Sequence, residues 1–178
     1  MMAARESSHF HPVDPREAAE MMPTGLFLMT AAHNGQDNWQ FVQRGLPLNP
    51  GPPTTLLVVL SHRNRTTELV DASGEFGLAI CSPHQAALVV ASRGVTGHKV
   101  DDKFAQLGLV RLPAKHIKAP LIADSFANME CRVIDKHPIG DRSVYVAEVL
   151  AMYHNPSTEP TVHYVKEIYR FLQDPAIG

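Results

Sequence analysis

From Thr54 to Ser61 the chain reads Thr-Thr-Leu-Leu-Val-Val-Leu-Ser, a continuous β-branched and apolar run entered from Pro52-Pro53. A run this short and this uniformly apolar predicts a buried central strand. It stops at Ser61-His62-Arg63-Asn64, and Arg65 to Ser73 continues with helical spacing before Gly74, so a helix with a glycine stop follows. Asn64 is its expected N-cap. A strand, a basic polar loop and a helix start in this order can hold an anion without a glycine-rich motif. The first N–H groups of a helix lack intrahelical acceptors, and the helix dipole adds partial positive charge there. Arg63 and Arg65 add full charges, and Ser61, Asn64, Thr66 and Thr67 add hydrogen-bonding groups. No acid lies between Ser61 and Glu68. The bland alternative is a capped helix with a solvated basic edge.

The chain has 178 residues, enough for one domain with a real core, and its net charge of -2 argues against a nucleic-acid footprint. It contains no apolar run of 18 residues and no hydrophobic leader in Met1 to Phe10, so we expect a cytoplasmic protein that neither enters nor crosses a membrane. Cys81 and Cys131 lie in apolar, strand-like surroundings outside any C-x-x-C pair. They read as buried thiols in a reducing compartment. His9 and His11 flank Phe10 without a third ligand at metal spacing, and no metal site is expected.

The remaining segments alternate short strands with short helices. Asp14-Pro15-Arg16-Glu17 carries a capping-box start for a helix that Pro23 ends. Thr24 to Ala32 reads as a strand, His33-Asn34-Gly35 as a tight hairpin turn, and Asn38 to Gly45 as the partner strand with one face toward a wet cleft. Residues 46–53, with four prolines, read as a rigid connector and not a central strand. Glu75 to Cys81 is a further strand, Ser82 caps a small helix through Ser92, and a polar loop, residues 93–99, follows; its spacing is not that of a P-loop. Asp101 to Gly108 reads as a short helix which, with that loop, can close over a ligand. Met129, Cys131 and Val133 alternate with Glu130, Arg132 and Ile134, His137 to Asp141 makes a turn, and Ser143 to Met152 returns. Residues 162–172 fit helix and extended chain equally. Six or so antiparallel strands with helices at the edges predict a mainly β protein closed into a small barrel.

Several pieces, in unbroken order from Pro23 to Tyr153, resemble the flavin reductase-like family of FMN-binding split barrels. They are Pro23-Thr24-Gly25, Pro52-Pro53, Ser61 to Thr66, Ser73-Gly74-Glu75-Phe76, Gly97 to Ala105, Ala119 to Ile122 and Glu130 to Val133. The resemblance implies a Greek-key split barrel over residues 23–155, with an N-terminal arm and helix in 1–22 and a tail in 156–178 packed on the barrel or on a dimer partner. It implies a homodimer with FMN at the interface, its phosphate on Ser61, Asn64, Arg65 and Thr66. The ring would lie along the strand from Asn38 to Gly45, with Lys103 and Phe104 contributing from the closing loop. Where relatives commonly present Thr and Ser, this chain has Phe41 and Gln43, beside Arg44; Gln43 and Arg44 can donate to flavin or phosphate, and Phe41 can stack on the ring or block the pocket. The activity implied is an NADH- or NADPH-dependent oxidoreductase of the flavin reductase type, with a monooxygenase among the partners the family admits. Flavin binding without reductase activity, and a degenerate barrel acting through its dimer surface, are the alternatives. Hydride transfer is the cofactor's own chemistry, so no catalytic side chain is assigned. His62, His98 and His163 are noted as groups for the nicotinamide side or the ring edge.

Overall fold

The computed structural model describes residues 12–15, 17, 21–164 and 167–170, with the side chains of residues 163–170 left out. His9 and His11, where no metal site is expected, most of the helix expected after Asp14, and the end of the tail lie outside the described residues. Strands β1 (Thr24–Gly25), β2 (Phe27–His33), β3 (Gln36–Val42), β4 (Gly45–Asn49) and β5 (Thr55–Ser61) lead into helix α1 (Arg65–Ser73). Then come β6 (Glu75–Ile80), a short 3-10 turn, α2 (Ala86–Ala91), α3 (Lys103–Leu107), β7 (Arg111–Leu112) and β8 (Leu121–Ile122). The long strands β9 (Ala127–Ile139) and β10 (Arg142–His154) precede β11 (Thr161–Tyr164) and β12 (Glu167–Arg170). Among the described residues no helix is long and apolar enough to cross a membrane.

Seven strands form one antiparallel sheet in the order β3-β2-β6-β9-β10-β5-β4. Its two edge strands, β3 and β4, are consecutive in sequence and separated only by Gln43 and Arg44. The chain therefore passes from one edge of the sheet to the other in two residues, and at this corner the Val59 N–H of β5 donates to the Arg44 carbonyl at 2.9 Å. The stretch read as a rigid connector is partly a strand, since Pro47 sits opposite Leu56 in β4. It is tolerated because β4 is an edge, where a missing N–H breaks no ladder on the open side.

Asn34 and Gly35 both have positive φ, 49° and 77°, the backbone that a two-residue hairpin turn needs. β2 and β3 pair from Phe27 opposite Val42 to His33 opposite Gln36. The β9–β10 hairpin turns at Gly140-Asp141, later than expected, because His137 to Ile139 stay paired with Arg142 to Val144. The tail is extended: β11 pairs with β1 and β12 with β11.

Alternation along the strands divides the core in two. On one face Met29, Val42, Val58, Phe76, Cys131 and Tyr145 pack with Leu69 and Val70 of α1. On the other, Leu28, Trp39, Ala79 and Cys81 pack under Val89 of α2 and Phe104 of α3. Both thiols are buried, and desolvation pushes each up to about 12. The alternation alone does not show that Glu130, on the polar side of the pattern, is fully buried. Its carboxylate accepts from the backbone N–H groups of Lys115, His116 and Ile117 and from the Tyr153 hydroxyl at 2.8 Å. Burial opposes its ionisation, but these donors outweigh that and hold its carboxyl below the usual range.

Candidate functional site

A cleft of about 470 Å³ opens beside the β3–β4 corner, between β3, the β5–α1 loop and the segment after α2. Its wall carries Arg44, Arg63, Arg65, Arg93, Arg142 and Lys103, and among the described residues no Asp or Glu lines it. In a chain of net charge -2 such a one-signed wall makes a local positive field that favours an anionic ligand. Arg142 lies opposite Ser61 in the β5–β10 register, so it joins the basic group at the end of β5.

The start of α1 is unusually open. Asn64 occupies the N-cap position with extended backbone but makes no capping bond; its side chain amide donates to Gln40 Oε1 instead. The first helical hydrogen bond runs from Glu68 N–H to the Asn64 carbonyl at 3.2 Å. The N–H groups of Arg65, Thr66 and Thr67 thus have no intrahelical acceptor and no side-chain cap.

The helix start is fixed against β3 by a ladder of polar side chains. Gln36 accepts from Arg65, Asn38 donates to Thr66 Oγ1 at 3.1 Å, and Gln40 accepts from Asn64. Asn38, Gln40 and Thr66 are buried. Sequence reasoning missed Asn38 and Gln40, although the signal was there: Gln36, Asn38 and Gln40 recur every second residue, so they share one face of the strand. Gly97 lets the loop after α2 close onto this ladder, because a Cβ there would clash with the Asn38 side-chain amide.

Most of the expected site residues come together here. Phe41, Gln43, Arg44, Ser61, Asn64, Arg65, Thr66 and Lys103 all line the cleft. Phe41 is half-buried and packs on the Trp39 side of β3, so it forms the wall without entering the inner core. Phe104 is the exception. It is fully buried under α3, edge-on to Trp39 with ring centroids 6.5 Å apart, and it lines neither cleft. It is drawn in because α3 needs an apolar anchor on β3, and the Arg111 guanidinium closes over its outer face at 4.0 Å.

A second cleft of about 770 Å³ adjoins the first and shares Asn38, Arg65, Gly97, His98 and Lys103 with it. Its charges are largely paired. Arg111 binds Asp37 and Asp102, and Asp102 also caps α3 by accepting from the Ala105 N–H at 3.0 Å. The Arg111 side chain, then that N–H, holds the Asp102 carboxyl below its ordinary range. Arg65 and His98 both bond Glu68 at 2.8 Å, lowering its pKa. His62 bonds Ser143 at 2.9 Å on the β5–β10 seam, away from the cleft walls. The side chain of His163 lies outside the described residues.

Residues 19–172 match the flavin reductase like domain. The chain is 25% identical over 161 residues to an NADH-dependent FMN reductase of Streptomyces nodosus subsp. asukaensis, covering 90% of this chain and 84% of that one. It is 27% identical over 151 residues to the reductase subunit of a flavin-dependent monooxygenase of Mycobacterium tuberculosis, covering 83% and 76%. Its fold matches the NADH:FAD oxidoreductase of Streptomyces globisporus, solved with NAD and FAD fragments, with TM-score 0.79 at 20% identity over 93% of this chain and 99% of that one. The chain belongs to the flavin reductase-like family.

Proposed function

We propose that this member of the flavin reductase-like family is a homodimeric split barrel that holds FMN in the cationic cleft and takes hydride from NADH or NADPH. The observation that carries the reading is the uncapped start of α1, set in a wall of arginines without an acid. A phosphate monoester has the charge and the acceptor oxygens to meet the N–H groups of Arg65, Thr66 and Thr67 together with Ser61 and Arg63. The ring would then run along β3 past Phe41 and Gln43 toward Lys103.

Bound flavin supplies the hydride chemistry, and the chain's part is to bind, orient and shield it. The segment after α2 and the start of α3 form the outer wall and would limit the access of water. Relatives that are an FMN reductase and a monooxygenase reductase subunit support the same reading, and they make a monooxygenase that consumes reduced flavin the natural partner. Leu46 and Leu48 on edge strand β4, with Ile134 and Ile139 on β9, are each about half exposed or more, and pairing with a second copy would cover such surface. A cytoplasmic location accords with the two free thiols.

The test is direct. FMN, FAD and riboflavin are titrated by fluorescence, NADH and NADPH are then added separately while flavin absorbance is followed, and sedimentation gives the assembly state. FMN binding well above riboflavin, bleaching by a nicotinamide and a dimer are expected. Equal affinity for riboflavin and FMN would remove the phosphate from α1, and a monomer that holds flavin would remove the shared site.

A further inference from the structure

We infer that Gln40 is a positioning residue that holds the Asn64 side chain away from α1, so that the helix cannot cap itself and its first N–H groups stay free for a phosphate monoester; this rests on the flavin reading above. Asparagine is among the best N-caps, its side-chain oxygen accepting from the N–H of the second or third helical residue. Asn64 has the extended backbone of a cap and makes no capping bond. Its amide donates instead to Gln40 Oε1 on β3. The Thr67 hydroxyl, at the third helical position and 1% exposed, has no partner among the described residues either.

Gln40 is costly where it stands. It is buried and lies opposite Met29 in the β2–β3 register. Val42, two residues on and so on the same face, packs with Met29 in the apolar core. A buried amide costs stability unless it is bonded. Among the described residues, the Gln40 amide nitrogen meets the Met29 sulfur at 4.0 Å, a weak acceptor, which leaves Asn64 as its strong partner. An apolar side chain would suit this position as well for packing, but it would release Asn64. Gln36 and Asn38 bond Arg65 and Thr66 from the same strand face. Three successive residues at the start of α1 are thus tied to β3 by side chains, and none of these bonds is a cap.

A cap and a phosphate compete for the same N–H groups. With Asn64 free to turn back onto α1, a ligand must first break its bond to Thr66 or Thr67, and affinity falls by the worth of that cap, about three- to thirtyfold. Riboflavin, which has no phosphate, meets no such competition. Gln40 therefore acts through Asn64, and on the phosphate alone.

The experiment measures Kd for FMN and riboflavin by fluorescence on wild type, Gln40→Met, Asn64→Ser and the double variant Gln40→Met/Asn64→Ala, with amide hydrogen exchange at Thr66 and Thr67 in the flavin-free proteins. Gln40→Met should weaken FMN binding about tenfold, leave riboflavin binding unchanged and slow exchange at Thr66 or Thr67. The double variant has no cap to offer, so it should recover the preference for FMN although Gln40 is still missing. Asn64→Ser, which caps without donating to Gln40, should reproduce the loss, and it decides alone where Gln40→Met does not fold. A preference for FMN that Gln40→Met or Asn64→Ser leaves intact overturns the inference while leaving flavin binding in place. So does a loss that the double variant fails to recover, since a merely structural glutamine would behave that way. Equal binding of FMN and riboflavin by wild type, or binding of neither, overturns the phosphate reading itself, and this inference with it.

Discussion

Glu130 and Lys103 are both buried charges, and the fold treats them in opposite ways. Around Glu130 it brings three backbone N–H groups and a tyrosine hydroxyl, so the carboxylate is fully bonded within the chain. Among the described residues no acid is bonded to Lys103, which lies over the Trp39 ring, and no side chain caps the nearby start of α1. A charge satisfied internally serves stability, because its bonds exist only in the folded state. A charge buried without a bonded partner costs stability. The two regions thus separate a charge that supports the fold from one that strains it.

Removing the acid should give the largest effect. Glu130→Ala removes the acceptor of three backbone N–H groups, that of Ile117 buried, and of the Tyr153 hydroxyl, and should lower stability by about 3 kcal/mol, read as a fall in denaturant midpoint at unchanged m. FMN affinity of the folded fraction should not change, and a matching loss of affinity would erase the distinction between the regions. Bonding holds the Glu130 carboxyl below its usual range, so its contribution is complete above the ordinary carboxylate pKa and is lost as acidification passes the lowered value.

Lys103→Met should act with the opposite sign and stabilise the flavin-free protein by about 2 kcal/mol near neutrality. Burial lowers this lysine from 10.5 to about 8, so between those values the unfolded chain holds the proton that the folded chain releases. Wild type should therefore gain stability as pH rises from about 8 to 10.5, closing the gap to the variant. Melts across that window check this, and a gap independent of pH would show that the lysine is not strained by burial.

Arg63→Ala should weaken FMN binding about tenfold, or roughly 1.4 kcal/mol, with riboflavin binding unchanged. Arg65→Ala should cost less, because Arg65 is already bonded to Glu68 and Gln36. Titrations that reverse this order would place the phosphate on the Arg65 side. Phe41→Ser should change FMN affinity least, by no more than about 1 kcal/mol, since Phe41 contributes one aromatic contact from the wall. Binding by the variant alone would mean that Phe41 closes the pocket.

What the sequence made legible follows how local each signal is. The run from Thr55 to Ser61, the Asn34-Gly35 turn and the glycine stops at Gly74 and Gly108 each depend on a few neighbouring residues, and all were readable. The cleft was readable in outline because a helix start and its arginines are contiguous. The burial of Glu130 was not, because its donors come from a loop more than ten residues upstream and alternation alone does not show it. Nor was the pairing of Asn38 with Thr66, which joins a hairpin strand to a helix 28 residues later. Phe104 was misplaced for a related reason: a loop motif does not reveal which of its side chains points inward.

The β9–β10 hairpin, at the middle of the sheet, bears on the order in which the chain becomes structured. It pairs β9 with β6 and β10 with β5, so two strands from the first half of the chain depend on a template from the second. As the protein is synthesised, the apolar segment from Thr55 to Ser61 emerges well before Arg142 to Glu148, which will cover one of its edges. Contacts so far apart in sequence slow folding and leave strand edges open to other chains in the meantime. A hairpin that forms early once its residues are available shortens that interval, and slowing its turn at Gly140-Asp141 should reduce the yield of folded protein before it alters the finished structure.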